Sequence, residues 1–258
     1  MRITSWNVNS INARLAVVER YVTEQAPDIL FMQELKTLDF PEEPFKKLGY
    51  ECHTVTQKTY NGVAILSKTP LRLLKTKVPG YESDEQARFI EAEIEAESGG
   101  LRLINIYLPN GNPIDTEKFD YKLEWMAHLK AYLQQLRVQS VPFLIGGDFN
   151  IIPEDKDCHD PKAWKDDALF HMKSRKIYRS MLNLGLTDAL RVRNTAAMQY
   201  TFWDYQAGAW PQNKGIRIDH FLLSPEIADR LQGCAIHKTP RGWEKPSDHT
   251  PIEITLQK

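Results

Sequence analysis

Three short stretches of this chain carry side chains suited to chemistry on an anionic ester: Phe31-Met32-Gln33-Glu34, Gly146-Gly147-Asp148-Phe149-Asn150 and Lys245-Pro246-Ser247-Asp248-His249. Each sets an ionisable or amide side chain at the end of an apolar, strand-like run or in the loop just after it, where a rigid sheet can aim it. A phosphodiester repels nucleophiles. Its hydrolysis near neutral pH therefore needs a hard cation on its oxygens, a positioned water and donors facing the charge that builds in the transition state. Oxygen donors such as Glu34 suit Mg²⁺, which keeps several of its waters and needs only one or two protein carboxylates. A sparse acidic set fits that chemistry.

Taken one at a time, these residues have plainer explanations. An Asp in a Gly-rich turn is usually a turn residue, and a Tyr or Asn after a strand usually caps or packs. His53, His128, His159, His171, His220 and His237 have no metal-ligand spacing among them. Cys52, Cys158 and Cys234 are odd in number and also lack such spacing, so they read as reduced, small apolar residues. Joint occurrence is what favours the catalytic reading.

The elements that must position these groups can be read from apolar periodicity. Strands are expected at Arg2 to Val8, Ile29 to Gln33, Val63 to Leu66, Phe89 to Ile94, Leu101 to Leu108, Phe143 to Ile145, Ile216 to Leu223 and Ile252 to Leu256. Helices are expected at Ala13 to Gln25, Thr116 to Gln139 with Asp115 or Thr116 as cap, Ser174 to Asn183, and Glu226 to Leu231 opened by Pro225. A hairpin is expected around Ser98-Gly99-Gly100. The sum is an α/β fold: a four-layer αββα sandwich of two mainly antiparallel sheets packed face to face, with helices outside.

The chain has 258 residues, 42% of them hydrophobic, enough for one large core. With no linker, repeat or low-complexity tract, a single domain over residues 1–258 is expected. No apolar run is long enough to cross a bilayer, and Met1 to Trp6 enters a strand-like run at once, which leaves no room for a secretory signal. The expected location is cytoplasmic, and nucleoid-associated if the chain is bacterial. A formal net charge of −1 argues against wrapping nucleic acid over the whole surface but leaves room for a local patch. Basic residues gather at Lys162, Lys165, Lys173, Arg175, Lys176 and Arg179, and again at Lys238, Arg241 and Lys245, with Trp164, Tyr178 and Trp243 interleaved. Either cluster alone reads as a solvated face.

Seven motifs in order carry a resemblance. They are Ser5-Trp6-Asn7-Val8-Asn9, Gln33-Glu34-Leu35-Lys36, Asn105 to Gly111, Gly147-Asp148-Phe149-Asn150, Tyr200 to Tyr205, Gly215 to Asp219 and Ser247-Asp248-His249. With them the chain resembles the exonuclease III family of apurinic/apyrimidinic (AP) endonucleases, within the endonuclease/exonuclease/phosphatase superfamily. A Glu, an Asp-x-Asn and an Asp-His alone would indicate only the superfamily, which also holds DNase I-like nucleases, sphingomyelinases, inositol phosphatases and deadenylases. Two departures stand out. Leu35 replaces a Thr common in the family, and Phe202 and Ile216 stand where relatives carry Trp or Phe, and Trp or Leu.

The resemblance implies roles. Glu34 would be the main metal ligand, with Asn7, Asn9 and Asp248 as direct or water-mediated supports, and the metal would be Mg²⁺, with Mn²⁺ able to substitute. Asp148 would orient or deprotonate the attacking water, or protonate the leaving oxygen. Asn150 would position Asp148 and a phosphate oxygen. His249, held by Asp219, would donate to the phosphate as charge builds, and Tyr107 and Asn110 would add donors. Phe202, Trp203 and Ile216 would wall a pocket for a baseless deoxyribose, an extruded sugar that has no base to unstack. The implied substrate is double-stranded DNA containing abasic sites or blocked 3′ ends, cut by a monomer 5′ to the lesion, with 3′ phosphatase, 3′ phosphodiesterase and 3′-5′ exonuclease activity beside it. A less selective nuclease or another phosphoesterase of the superfamily is the alternative. A catalytically dead interaction module would be favoured by loss of Glu34, Asp148 or His249, and all three are present.

Overall fold

The structure, a computed structural model, describes residues 1–94 and 100–257. In chain order the elements are β1 Arg2–Asn7, α1 Ile11–Gln25, β2 Ile29–Gln33, α2 Glu42–Lys47, β3 Glu51–Val55, β4 Val63–Ser67, β5 Arg72–Lys75, β6 Phe89–Ile94, β7 Leu101–Tyr107, α3 Glu117–Val138, β8 Phe143–Asp148, α4 Met172–Leu182, β9 Thr187–Asp188, α5 Ala189–Arg193, β10 Asp219–Leu223, α6 Pro225–Ala228, β11 Leu231–Ile236 and β12 Ile252–Leu256. They form two six-stranded sheets, ordered β11-β12-β1-β2-β4-β3 and β5-β6-β7-β8-β10-β9. Each sheet has one parallel pair at its centre, β1 with β2 and β7 with β8, and antiparallel pairs elsewhere. A parallel pair needs a crossover connection, and α1 and α3 supply the two crossovers.

Side-chain alternation along the strands sorts the core into layers. Ile3, Phe31, Ile65, Leu103, Leu144 and Phe221 fill the space between the sheets. On the outer face of the first sheet Trp6, Leu30 and Met32 meet Val18 and Tyr21 of α1. On the outer face of the second, Ile104, Ile106, Phe143 and Ile145 meet Trp125, Leu129 and Leu133 of α3 and Tyr178 of α4. The result is the αββα sandwich. A polar stitch joins the sheets beneath one rim: Asn105 on β7 donates to Met32 O (2.9 Å) and Ala64 O (2.8 Å) and accepts from Gln33 Nε2 (2.7 Å).

Several expectations are corrected locally. The run from Ile216 is a strand only over Asp219–Leu223, because Ile216 makes single bridges with Cys158 and Phe202 instead of joining the ladder. The helix expected to reach Leu231 stops at Ala228, and Leu231 opens β11. Thr116 does occupy the N-cap position of α3, but its hydroxyl donates to Pro113 O (2.7 Å) in place of capping. The turn expected at Ser98-Gly99-Gly100 lies largely outside the described residues, while the flanking β6 and β7 pair antiparallel as a hairpin requires. Strands β3, β5, β9 and β11 and helices α2 and α5 were not anticipated. No helix among the described residues is long and apolar enough to cross a membrane.

Candidate active site

The C-terminal ends of the two parallel pairs converge at one rim. Asn7 ends β1, Glu34 follows β2, Tyr107 ends β7 and Asp148 ends β8. Asp219, at the start of antiparallel β10, is in register with Asp148. The segment before β12 then delivers Asp248 and His249. Local backbone conformation aims the groups. Asn9, Glu34, Lys36 and Asn150 all have left-handed φ, between 45° and 54°. Asn tolerates that region, whereas for Glu34 and Lys36 it costs about 1–2 kcal/mol each. Flanking bonds hold the Glu34 segment there: Ser10 N to Glu34 O at 2.7 Å, Leu35 N to Gly62 O at 3.2 Å and Lys36 N to Asn61 O at 2.9 Å. Leu35 is wholly buried in the outer core, so the Thr-to-Leu departure falls on a packing position. Gly147 is required where it stands, since a Cβ there would lie 2.0 Å from Ile106 O.

The expected site residues meet. Asn7 Nδ2 bridges Glu34 Oε1 (2.7 Å) and Asp148 Oδ2 (2.9 Å), and Asn9 Nδ2 donates to Asp248 Oδ1 (3.1 Å). Asn150 N donates to Asp148 Oδ1 (2.8 Å), and the Asn150 amide donates to Leu108 O (2.8 Å) and accepts from Asn110 Nδ2 at 3.4 Å. His249 Nδ1 donates to Asp219 Oδ2 (2.9 Å), while its Nε2 faces Asp148 Oδ2 at 3.7 Å.

Electrostatics distinguish these groups. Burial pushes the Asp148 carboxyl up, and the Asp219 and Glu34 carboxylates add to this against His249 and Asn7, leaving it at about 7. For His249 burial acts downward, but Asp219 and Asp148 outweigh it and raise the imidazole to about 10. His249 is thus a cation and a donor. Burial also acts to raise Glu34, yet Lys36 and Asn7 hold it below the usual range. Burial and the neighbouring Glu34 and Asp148 keep Tyr107 a phenol, well above its ordinary pKa.

Oxygen and nitrogen atoms of Glu34, Asp148 and His249 lie within 4.8 Å of one another, a grouping that could hold a metal ion. His249 as imidazolium is not available as a ligand. The oxygens suit a hard cation better, and the Lys36 ammonium acts as its stand-in, at 2.7 Å from Glu34 Oε2 and 2.6 Å from Asn9 Oδ1. The donor set therefore fits an oxygen-liganded divalent ion held by Glu34, with Asn7, Asn9 and Asp248 around it.

A cavity of about 270 Å³ opens on this cluster; its lining combines the polar Tyr107, Asn110, Asp148, Asn150 and His249 with the apolar Phe202, Ile216, Ile218, Leu169 and Trp164, and also takes in Asn112, Asp167 and Asp204. The Phe202 ring meets His249 edge-on at 5.0 Å. Trp203, expected in the pocket wall, is instead fully buried against Tyr200 and Trp210 and does not line the cavity. The walls Trp164 and Leu169 were not assigned from sequence. Trp164 stood out only as an aromatic among lysines, which is the one signal that could have found it. A second cavity of about 570 Å³ adjoins the first across Tyr107 and Asn110 and carries Lys36, Arg88, Lys118, Tyr60 and Tyr121. Of the basic clusters, Arg175 and Arg241 are buried and spend their guanidiniums on Pro153 O (2.8 Å) and Trp203 O (2.9 Å), whereas Lys162, Lys165, Lys173, Lys176 and Arg179 are exposed.

Comparison with known proteins agrees with this arrangement. Exodeoxyribonuclease III of Haemophilus influenzae is 36% identical over 262 residues, covering 98% of each chain. Among solved structures, the 3′ phosphatase NExo from Neisseria bound to a product DNA hairpin is 36% identical with a TM-score of 0.95, and an AP endonuclease from Archaeoglobus fulgidus is 37% identical with a TM-score of 0.94, each covering 100% of both chains. Residues 4–249 match the Endonuclease/Exonuclease/phosphatase family, a span that takes in every group from Asn7 to His249. The chain is a phosphodiesterase belonging to the Endonuclease/Exonuclease/phosphatase family.

Proposed function

We propose that this chain is a Mg²⁺-dependent AP endonuclease of base excision repair that hydrolyses the phosphodiester 5′ to an abasic site and, through the same centre, processes 3′ phosphates, 3′ phosphodiesters and 3′ ends. One observation carries the reading. A buried Asp148, His249 and Asp219 group opens onto a small cavity lined in part by the apolar side chains of Phe202, Ile216 and Trp164. Such apolar side chains suit a sugar without a base, so on this reading selectivity rests more on shape and on the low cost of extruding an abasic nucleotide than on base-edge hydrogen bonds.

Within that reading, Asp148 exchanges a proton with the attacking water or the leaving oxygen, for which a value of about 7 is well placed. Asp219 keeps His249 charged and oriented, so that its remaining N–H is available to a phosphate oxygen. The Tyr107 hydroxyl and the amides of Asn110 and Asn150 are the further donors. Mg²⁺ bound at Glu34 would supply Lewis-acid stabilisation of the phosphate oxygens. Lys36, Arg88 and Lys118 in the adjoining groove are placed to accompany a DNA backbone. Likeness to a 3′ phosphatase favours a second emphasis, in which processing of 3′ ends outweighs abasic-site cleavage. We take the protein to be a single-domain monomer over residues 1–258, acting on duplex DNA in the cytoplasm and on no membrane.

The test is cleavage of a duplex carrying a tetrahydrofuran abasic analogue, beside an intact duplex and a small phosphoester. Nicking 5′ to the analogue, abolition by EDTA and recovery with Mg²⁺ or Mn²⁺ are expected. Undiminished cleavage in excess chelator would contradict the metal assignment, and equal rates on intact and abasic duplexes would contradict the substrate.

A further inference from the structure

Lys122 interrupts an otherwise apolar stripe on α3, between Phe119 and Trp125, and is 0% exposed. A lysine is almost never fully buried unless it is paired, and an apolar residue would complete this stripe more cheaply. Its Nζ donates to two main-chain carbonyls, Asn110 O at 3.0 Å and Asn150 O at 2.6 Å. These belong to different loops, one leaving β7 and the other leaving β8, and their side-chain amides meet above the lysine at 3.4 Å. The first loop is pressed onto the lysine stem: a Cβ on Gly111 would lie 2.5 Å from Lys122 Cδ. Asn150 is thereby held at three points in a left-handed conformation (φ 47°): its N–H on Asp148, its amide on Leu108 O and its carbonyl on Lys122.

We propose that Lys122 is a positioning residue for phosphodiester hydrolysis, fastening the Asn110 and Asn150 loops together from below so that their amides face the scissile phosphate. The inference rests on the reading of Asn110 and Asn150 as phosphate donors. Lys122 itself touches no substrate. It acts through Asn150 and Asn110, and loss of its donors would leave a buried carbonyl unpaired and let the amides drift, and misplacements of about 1 Å are enough to cost roughly a hundredfold in rate.

A double-mutant cycle separates this from a merely structural role. Single-turnover cleavage of the tetrahydrofuran duplex is measured at saturating enzyme for the wild type, Lys122→Met, Asn150→Ala and the double variant. Lys122→Met should be at least about tenfold slower with duplex affinity within several-fold, and its fold-loss should be clearly smaller in the Asn150→Ala background, where only the Asn110 amide is left for it to position, because coupled residues are not additive. A wild-type rate in Lys122→Met, or the same fold-loss in both backgrounds, would overturn the proposal. Should circular dichroism find Lys122→Met unfolded, Lys122→Arg replaces it in the cycle. As it keeps donors for both carbonyls, a rate within several-fold of wild type supports the proposal, and a loss undiminished by Asn150→Ala overturns it. If the wild type is inert on abasic duplex, the functional reading fails by itself, and the same cycle on a 3′ phosphate end still requires the coupling.

Discussion

Asp148 and His249 lie 3.7 Å apart in a buried cluster but do not form an ordinary closed ion pair, because Asp219 holds the imidazolium from its other nitrogen at 2.9 Å. Burial first, with the Asp219 and Glu34 carboxylates beside it, raises Asp148 against the pull of His249 and Asn7 to about 7, so its proton is neither tightly held nor freely lost near neutral pH. Proton exchange at Asp148 in the proposed mechanism would use that balance. Phe202 and Ile216 line the same cavity, the Phe202 ring lying 5.0 Å from that of His249. If they exclude normal nucleotides, Phe202→Ala or Ile216→Ala should lower the abasic-site rate through poorer positioning and lower any 3′ exonuclease rate less, so the ratio of the two falls. Single-turnover rates on an abasic duplex and a matched recessed 3′ end check this, and an unchanged ratio in both variants would place selectivity elsewhere. The candidate catalytic residues stand out in the sequence because their types are unusual at the ends of apolar runs. The burial of Trp203 and the part played by Lys122 are not legible for one reason: sequence gives a residue's type but not which way it faces. A buried lysine on an apolar stripe looks like a break in the stripe until its acceptors are known.

Elements deliver these residues, and one buried network fixes the segment that brings in Ile216 and Asp219. Arg217, wholly buried between them, bonds Asp157 of a short 3₁₀ turn (Nε to Oδ1, 2.6 Å) and Asp188, the N-cap of α5 (Nη1 to Oδ2, 2.9 Å). Arg217 Nη1 also lies 3.1 Å from His220 Nδ1, which must accept, leaving Nε2–H to donate to Ile151 O at 2.9 Å. Burial first, then Arg217, lowers His220 to about 4. The folded state thus refuses a proton that the unfolded chain takes up near pH 6.5, and stability falls as pH drops from there toward 4, by up to roughly 3 kcal/mol. Asp157 and Asp188 are held low by Arg217 against their burial, so their contribution persists above the ordinary carboxylate range and is lost only below it. Asp148, raised to about 7, drifts in the opposite sense over the His220 window. Comparing wild type with His220→Gln cancels that drift. The variant should lose less Tm between pH 7 and pH 5, by several degrees, and parallel Tm profiles would contradict the buried neutral histidine. Sequence located the central strands through their apolar runs. It missed Glu51–Val55 and Arg72–Lys75, edge strands with partly exposed, charged sequences, and Thr187–Asp188, which is too short for periodicity.

The whole molecule repeats one plan twice. Each sheet carries a parallel pair with a helical crossover flanked by antiparallel strands, in the same order, although no repeat is visible in the sequence. Facing the sheets together brings the ends of both parallel pairs to one rim, and Asn105 ties the sheets just beneath it. Asn7 and Glu34 come from the first sheet and Asp148 and Asp219 from the second, so on the proposed reading the phosphate site exists only at the seam. The seven motifs were legible in order, but their convergence depends on tertiary register and not on local pattern. One centre at that seam should serve every substrate. The most direct measurement is a pair of single-turnover rates for wild type, Asp148→Asn and His249→Ala, on a tetrahydrofuran duplex and on a 3′ phosphate end, with duplex affinity measured alongside. Both rates should fall together by at least about a hundredfold in each variant while affinity stays within several-fold. Survival of either activity at near wild-type rate would mean that the two reactions do not share the Asp148–His249 centre.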